Sequence, residues 1–189
     1  MTTRLLYWHW EEFYDKKQIK TIHDLIQDKF YGKQNPKFAA SPYADGTPRK
    51  LVDTQLVDYR DIEYAIRGII DEAYTCCLEH FGYTAKFPTN DELHYNTYTS
   101  TKKSRYDYHT DEARDTTHDY KLTLLVNLSP KEFEGGDFYL FSGGDMIIPE
   151  LKKPGSVIAI KSHMHHKVTP VTKGVRRTLT HFIKGPAWT

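Results

Sequence analysis

Lys121-Leu-Thr-Leu-Leu-Val-Asn-Leu128 is a β-prone run closed by turn residues, and runs of the same kind recur at 94–99, 106–110, 138–141, 146–148, 157–160, 166–171 and 176–183. Short strands at this spacing, each bounded by turn signals, predict a double-sheet jelly roll whose sheets pack face to face and leave a mouth at one end. Gly135-Gly136 and Gly143-Gly144 punctuate two of the turns. Neither pair belongs to a G-x-x-x-x-G-K-[ST] sequence, so they read as tight turns and not as phosphate cradles.

Upstream of these runs the hydrophobic period changes from strand to helix. Ile19, Ile22, Leu25, Ile26 and Phe30 recur at helical spacing with Asp15 placed to cap them. A second helix carries Ile62, Ile66, Ile69, Ile70, Ala73, Cys77 and Phe81 on one face and ends at Gly82. Gly32–Pro36 and Ser41–Pro48, both rich in turn residues, make the connection between them a long loop. The expected architecture is α+β: a double-stranded β-helix (jelly roll) core over 91–189 with N-terminal supporting helices in a region spanning 1–90. With 189 residues, 39% hydrophobic and 27% charged, the chain fills one core and is too short for two comfortable domains, so 1–189 reads as a single domain.

Composition also narrows function. A net charge of +1 gives no field that would gather nucleic acid or an anionic membrane, and no nucleic-acid partner is expected. The start, Met1 to Trp10, lacks an apolar stretch of signal-peptide length, and no run approaches the ~20 apolar residues of a membrane span. A cytoplasmic location is expected. The two cysteines, Cys76 and Cys77, are adjacent; neighbouring Cα atoms lie ~3.8 Å apart, too close for an ordinary disulfide, and both fall in a helical apolar pattern. Tyr7-Trp-His-Trp10 reads as packing, His118 as a polar loop residue, and Lys102, Lys103 and Arg105 as a solvated charge run.

The chemistry is concentrated in His109-Thr-Asp111. In a strand, residues i and i+2 leave the same face ~7 Å apart, so these two side chains can converge on one ion. A third ligand must come from elsewhere, and His163, His165 and His166 compete for the place. Alternation puts His165 and His166 on opposite faces, so only one of them can point at the metal. Two imidazoles and a carboxylate on one side of a metal are the donor set of non-heme Fe(II) oxygenases, although a hydrolytic zinc site uses the same donors. Arg176 and Arg177 both follow at a distance suited to holding an anion. Arg176 shares its face with Thr178, Thr180 and Phe182, where a hydroxyl such as that of Thr180 can add a donor to a bound carboxylate.

These pieces, together with Tyr98, Tyr106-Asp-Tyr108, Lys121 to Leu128, Glu134-Gly-Gly-Asp137, Lys153-Pro-Gly-Ser156 and His166 to Arg176, resemble the Fe(II)/2-oxoglutarate-dependent dioxygenases, and within them the prolyl 4-hydroxylase-like group. The resemblance covers roughly residues 92 to 184. The segment Tyr98 to Arg105 departs from the group's usual Tyr-Glu-Pro-Gly form. The resemblance selects His166 as the distal ligand, completing a set of His109, Asp111 and His166. It implies Fe(II) as metal, 2-oxoglutarate and dioxygen as co-substrates, and Arg176, Tyr98, Tyr106 and Thr180 along the co-substrate and substrate side of the pocket. The reaction it implies is hydroxylation of a prolyl residue in a peptide or protein, with release of succinate and carbon dioxide. A free amino acid or other small-molecule substrate, or a jelly-roll module that keeps a metal without oxidising anything, are the alternatives.

Overall fold

The computed structural model describes residues 5–30, 42–88, 91–113 and 117–187. Two helices and twelve strands follow in order: β1 (Tyr7–Trp10), α1 (Lys16–Phe30), β2 (Asp53–Asp58), α2 (Tyr59–Glu79), β3 (Glu92–Thr99), β4 (Tyr106–His109), β5 (His118–Asn127), β6 (Glu134–Gly135), β7 (Phe138–Phe141), β8 (Asp145–Ile147), β9 (Val157–Lys161), β10 (His166–Val168), β11 (Val171–Lys173) and β12 (Val175–Pro186). A six-stranded sheet in the order β1-β9-β5-β12-β3-β2 packs against a four-stranded sheet, β4-β10-β7-β8, and β11 pairs with β6. All the strand pairings are antiparallel.

The helices form where local signals predict them. Asp15 and Gln18 cap α1 reciprocally, each side chain accepting a hydrogen bond from the other's backbone N–H, at 2.8 and 2.9 Å. Asp58 accepts from the Arg60 N–H at the start of α2, and Gly82, at φ +69°, follows its end. The α2 stripe Ile62, Ile66, Ile69, Ile70, Ala73 and Cys77 is buried against Leu93, Tyr95, Leu122, Leu124, Val126, Leu179 and Ile183 of the large sheet. A second cluster, including Tyr98, Leu125, Phe138, Leu140, Ile158 and Val168, lies between the two sheets. Both faces of β5 are therefore covered, which is why Leu122 to Val126 reads as a continuous apolar run broken only by Thr123.

Gly155 fixes the entry of the chain onto this core. Its φ is +89°, and a Cβ there would stand 2.0 Å from the Tyr14 carbonyl oxygen, while its own carbonyl accepts from the Tyr14 N–H at 3.1 Å. Cys76 and Cys77 are buried and free, and burial raises their thiols to about 12 and about 11, so they serve as small hydrophobes.

Several readings of the sequence change. The first half is not helical alone: β1 and β2 form the two edges of the large sheet. Tyr7 to Trp10 is a strand paired with β9, and β2 is a six-residue strand running straight into α2, too short to show a period beside so strong a helix. The run 166–171 splits into β10 and β11 around Pro170, which has no N–H to offer a ladder. His118 begins β5, opposite Pro186, instead of lying in a loop. Lys102 is paired with Asp53 at 2.6 Å and Arg105 stands 3.4 Å from Asp107, while Lys102 and Lys103 are exposed, so the charge run is solvated as expected but two of its members also find acids within the chain. Gly32–Pro36 and Ser41 lie outside the described residues. Among the described residues no helix is long and apolar enough to cross a membrane.

One core residue is at odds with its surroundings. His181 projects from β12 among α2 residues with both ring nitrogens buried and without a partner among the described residues. Burial lowers its pKa to about 4. The unfolded chain binds this proton near pH ~6.5, so the group leaves native stability undiminished above that value and lowers it as pH drops toward 4. Urea unfolding of His181→Leu at pH 7 and pH 5 is expected to show a variant at least as stable as wild type at pH 7, with a smaller loss at pH 5. Equal losses in the two proteins would contradict the assignment.

Candidate metal centre and its pocket

The pairing of β4 with β10 sets His166 directly opposite His109. Their ring centroids are 4.2 Å apart. Each imidazole is oriented by a carbonyl two residues before it, His109 Nδ1 lying 2.8 Å from Asp107 O and His166 Nδ1 2.9 Å from Met164 O. A carbonyl only accepts, so Nδ1 carries the hydrogen and Nε2 keeps its lone pair for a ligand. Those Nε2 atoms face Asp111, at 3.7 Å from Oδ1 for His109 and 3.3 Å from Oδ2 for His166. One ligand atom from each of the three residues lies within 4.8 Å of the other two, a group that could hold a metal ion.

Asp111 has left β4 and is held from behind. Its N–H donates to Ser162 O at 2.9 Å, and Thr123 Oγ1 donates to its Oδ2 at 2.7 Å. Thr123, the polar interruption in the β5 run, thus orients the carboxylate. Tyr106 stacks on His109 with ring centroids 3.5 Å apart, and Phe138 lies 5.5 Å from His166. Burial, reinforced by the neighbouring His166, lowers His109 to about 2 and keeps it neutral, the form in which an imidazole ligates.

From this cluster a cavity of about 700 Å³ extends across the inner face of the large sheet. Tyr98, Arg176, Thr178, Thr180 and Phe182 all line it. Arg176 is 1% exposed, its guanidinium carbon 5.0 Å from the Tyr98 ring centre, and its Nη2 is buried with no partner among the described residues. Burial pulls the Arg176 pKa down and pushes that of Tyr98 up, while the guanidinium donates to the Tyr98 hydroxyl oxygen. Gly136 makes the space: a Cβ there would meet Val171 Cγ2 at 2.8 Å and Arg176 Cδ at 3.1 Å. Thr180 Oγ1 accepts from Asn96 Nδ2 at 3.2 Å, and Asn96 Oδ1 accepts from Thr54 Oγ1 at 2.8 Å, so the Thr180 hydroxyl hydrogen is left to donate.

The residues singled out from sequence, His109, Asp111, His166, Arg176, Tyr98, Tyr106 and Thr180, all line this one cavity. The competitors lie elsewhere. His163 and His165 are exposed, and Arg177 shares its face of β12 with Leu179 and Ile183 in the helix-side core. Sequence reasoning placed Phe182 on the pocket face of β12 but missed Lys50, His94, Asn96 and Thr123 as lining residues. A polar residue inside an apolar strand, as at Thr123 and Asn96, was a usable signal; Lys50, in a turn-rich segment, gave none.

The donor set and the unsatisfied guanidinium together fit a divalent metal and an anionic co-substrate in one cavity. Residues 93–184 match the family model of the 2OG-Fe(II) oxygenase superfamily. Members of that superfamily are oxidoreductases using Fe(II), 2-oxoglutarate and dioxygen, and the matched span holds the His109, Asp111 and His166 group that could bind a metal ion. No curated protein sequence matches the chain.

Among solved structures, the fold is similar to that of a Pseudomonas putida prolyl-4-hydroxylase, with a TM-score of 0.68 and 14% identity over 97% of this chain and 94% of that one. A prolyl hydroxylase from Trichoplax adhaerens, in complex with a hypoxia-inducible-factor peptide fragment, gives 0.64 and 14% over 94% and 83%. The carbocyclase SnoK from nogalamycin biosynthesis gives 0.67 and 10% over 97% and 80%. These likenesses establish the double-stranded β-helix fold.

The geometry makes a sharp distinction between neighbouring histidines. His166→Ala removes one of three protein donors and is expected to abolish stoichiometric Fe(II) binding under nitrogen, whereas His165→Ala is expected to retain it. Metal content after desalting is the measurement; a loss at His165 with retention at His166 would overturn the placement of the cluster.

Proposed function

We propose that this protein is a 2-oxoglutarate-dependent hydroxylase of a prolyl residue in a peptide or protein. The observation that carries the oxygenase part is the buried, unpartnered Nη2 of Arg176 in the same cavity as His109, Asp111 and His166. A metal-binding module that oxidises nothing has no use for a guanidinium there. The prolyl part is supported by the fold likeness to the bacterial and Trichoplax prolyl hydroxylases.

When bound, the metal and its co-substrates supply the oxidising chemistry, which yields succinate, carbon dioxide and one oxygen atom on a C–H carbon. The chain's own residues have separable tasks in this reading. His109, Asp111 and His166 hold the metal through two neutral imidazoles and a carboxylate that Thr123 orients. Arg176 takes the distal carboxylate of 2-oxoglutarate with the Tyr98 hydroxyl beside it, and Thr180, four residues along β12, offers a further donor on the same cavity wall. Phe138, Leu125 and Val168 give the cavity apolar walls and limit the water that would compete for these hydrogen bonds. Tyr106, stacked on His109, forms part of the wall on the substrate side.

Two outcomes test the proposal. A charge-assisted hydrogen bond to a carboxylate contributes ~1.5 to 3 kcal/mol, so Arg176→Ala is expected to weaken 2-oxoglutarate by roughly one to two powers of ten. Saturating co-substrate should raise the melting temperature of the Fe(II)-loaded wild type by about 5 to 11 °C; Arg176→Ala should lose most of that rise and Arg177→Ala should keep it. For the substrate, some proline-containing peptide should stimulate succinate formation and gain the mass of one oxygen on proline. Strong coupling to a non-prolyl metabolite, with only slow uncoupled turnover across a prolyl panel, would overturn the prolyl reading and leave the oxygenase one standing.

A further inference from the structure

Three cationic side chains line the cavity: Lys50, Arg176 and Lys184. Lys184 is already paired, its Nζ lying 2.7 Å from Asp91 Oδ1. Arg176 occupies the end ascribed to 2-oxoglutarate. Lys50 has a different setting. It enters through a short bridged segment, with Leu51 and Arg105 exchanging backbone hydrogen bonds at 2.9 and 3.2 Å and Lys50 paired to Tyr106. Its ammonium lies 5.2 Å from the centre of the Tyr106 ring, the same ring that stacks on His109. Among the described residues no carboxylate stands within ion-pair distance of it.

A half-buried ammonium that meets only a π face recovers part of the hydration it gives up. Burial lowers the Lys50 pKa to about 8 against the opposing pull of Asp111, the sense expected of a cation short of a counter-charge. Of the cavity's acids, Glu92 forms no ion pair with Lys50, and the other two have engagements of their own. Asp111 is drawn into the metal cluster, and Glu112 accepts from Thr110 Oγ1 at 2.8 Å. Elsewhere on the cavity wall, Phe182 stacks on Tyr120 at 4.6 Å and meets His94 edge-to-face at 5.1 Å, a flat apolar surface suited to a small ring. The cavity therefore offers a cation and an aromatic wall in addition to the metal cluster and the Arg176 end.

We propose that Lys50 binds a carboxylate of the molecule being oxidised, so that the substrate carries an anionic group close to its reacting carbon. That carboxylate is either the free one of an amino acid or the side chain of an acidic residue beside the oxidised one. The inference rests on the oxygenase reading above and names the substrate class within it. It also gives the 42–50 segment a use, which is to carry a counter-charge to the substrate side of the pocket.

The test is calorimetric, on protein loaded with Fe(II) and 2-oxoglutarate under nitrogen. One probe pair is L-proline and L-prolinamide; the other is a blocked Gly-Glu-Pro-Gly peptide and its Gly-Gln-Pro-Gly counterpart. At least one acid is expected to bind ~10- to ~100-fold more tightly than its amide, the range of a charge-assisted contact, and the pair that shows it identifies the source of the carboxylate. Lys50→Gln should erase that preference and Lys50→Arg should keep most of it, with 2-oxoglutarate affinity unchanged in both. Equal binding of acids and amides by wild type, or no binding of any probe, overturns the proposal if 2-oxoglutarate binds normally. A preference that survives in Lys50→Gln overturns it as well. Loss of 2-oxoglutarate affinity in Lys50→Gln would instead move Lys50 to the co-substrate end and end the proposal. Failure of Fe(II)-loaded wild type to bind 2-oxoglutarate would overturn the oxygenase reading itself, and this inference with it.

Discussion

The alternation of β12 is the constraint on which the rest depends. Along one strand, Leu179 and Ile183 turn toward the isoleucines of α2, while Arg176, Thr178, Thr180 and Phe182 turn into the cavity. Nine register pairs with β5, shifted once between Ile183 and Lys184, and six with β3 hold that strand on both sides. A slip of one residue would put Arg177 in the pocket and turn Leu179 and Ile183 away from the isoleucines of α2, at the cost of their apolar burial. The helices are thus more than scaffolding. Their apolar stripe enforces the register that aims the guanidinium.

The metal cluster uses a second device. His109 and His166 come from strands of the smaller sheet, paired so that the two rings face one another, and each ring is set by a carbonyl of its own chain segment. Asp111, beyond the end of β4, is tied through Thr123 and Ser162 to the larger sheet. The three donors therefore span both sheets, and their convergence reports that the sandwich has closed correctly. Burial then keeps His109 neutral, so folding and readiness to ligate are one event.

Much of this was legible in the sequence because the informative residues lie in regular strands. His109-Thr-Asp111 and the Arg176/Arg177 choice follow from a period of two, and β5, β7, β9 and β12 announce themselves by apolar runs between turns. The long helices were legible from isoleucine spacing and from Asp15. What escaped was set by tertiary pairing. β2 becomes a strand because β3 offers it an edge, with Thr54 meeting Asn96 across the pair, and nothing within Asp53 to Asp58 demands it. Lys50 reaches the pocket only because Leu51 pairs with Arg105, and no local pattern around Ser41 to Pro48 foretells that. His118 was hidden by the polar residues before it, although its partner Pro186 lies on the same strand as Arg176.

The position of β1 and β2 at opposite margins of the large sheet has a bearing on where this protein can be cut. The matched oxygenase span begins at residue 93, yet removing what precedes it would leave β9 and β3 with bare hydrogen-bonding edges and strip the isoleucine face from the sheet. It would also take away Thr54, the first link of a chain that runs through Asn96 to the Thr180 hydroxyl. The boundary of the matched span is therefore not the boundary of the folding unit. Residues with no recognisable motif close the sheet and reach, by two hydrogen bonds, into the pocket.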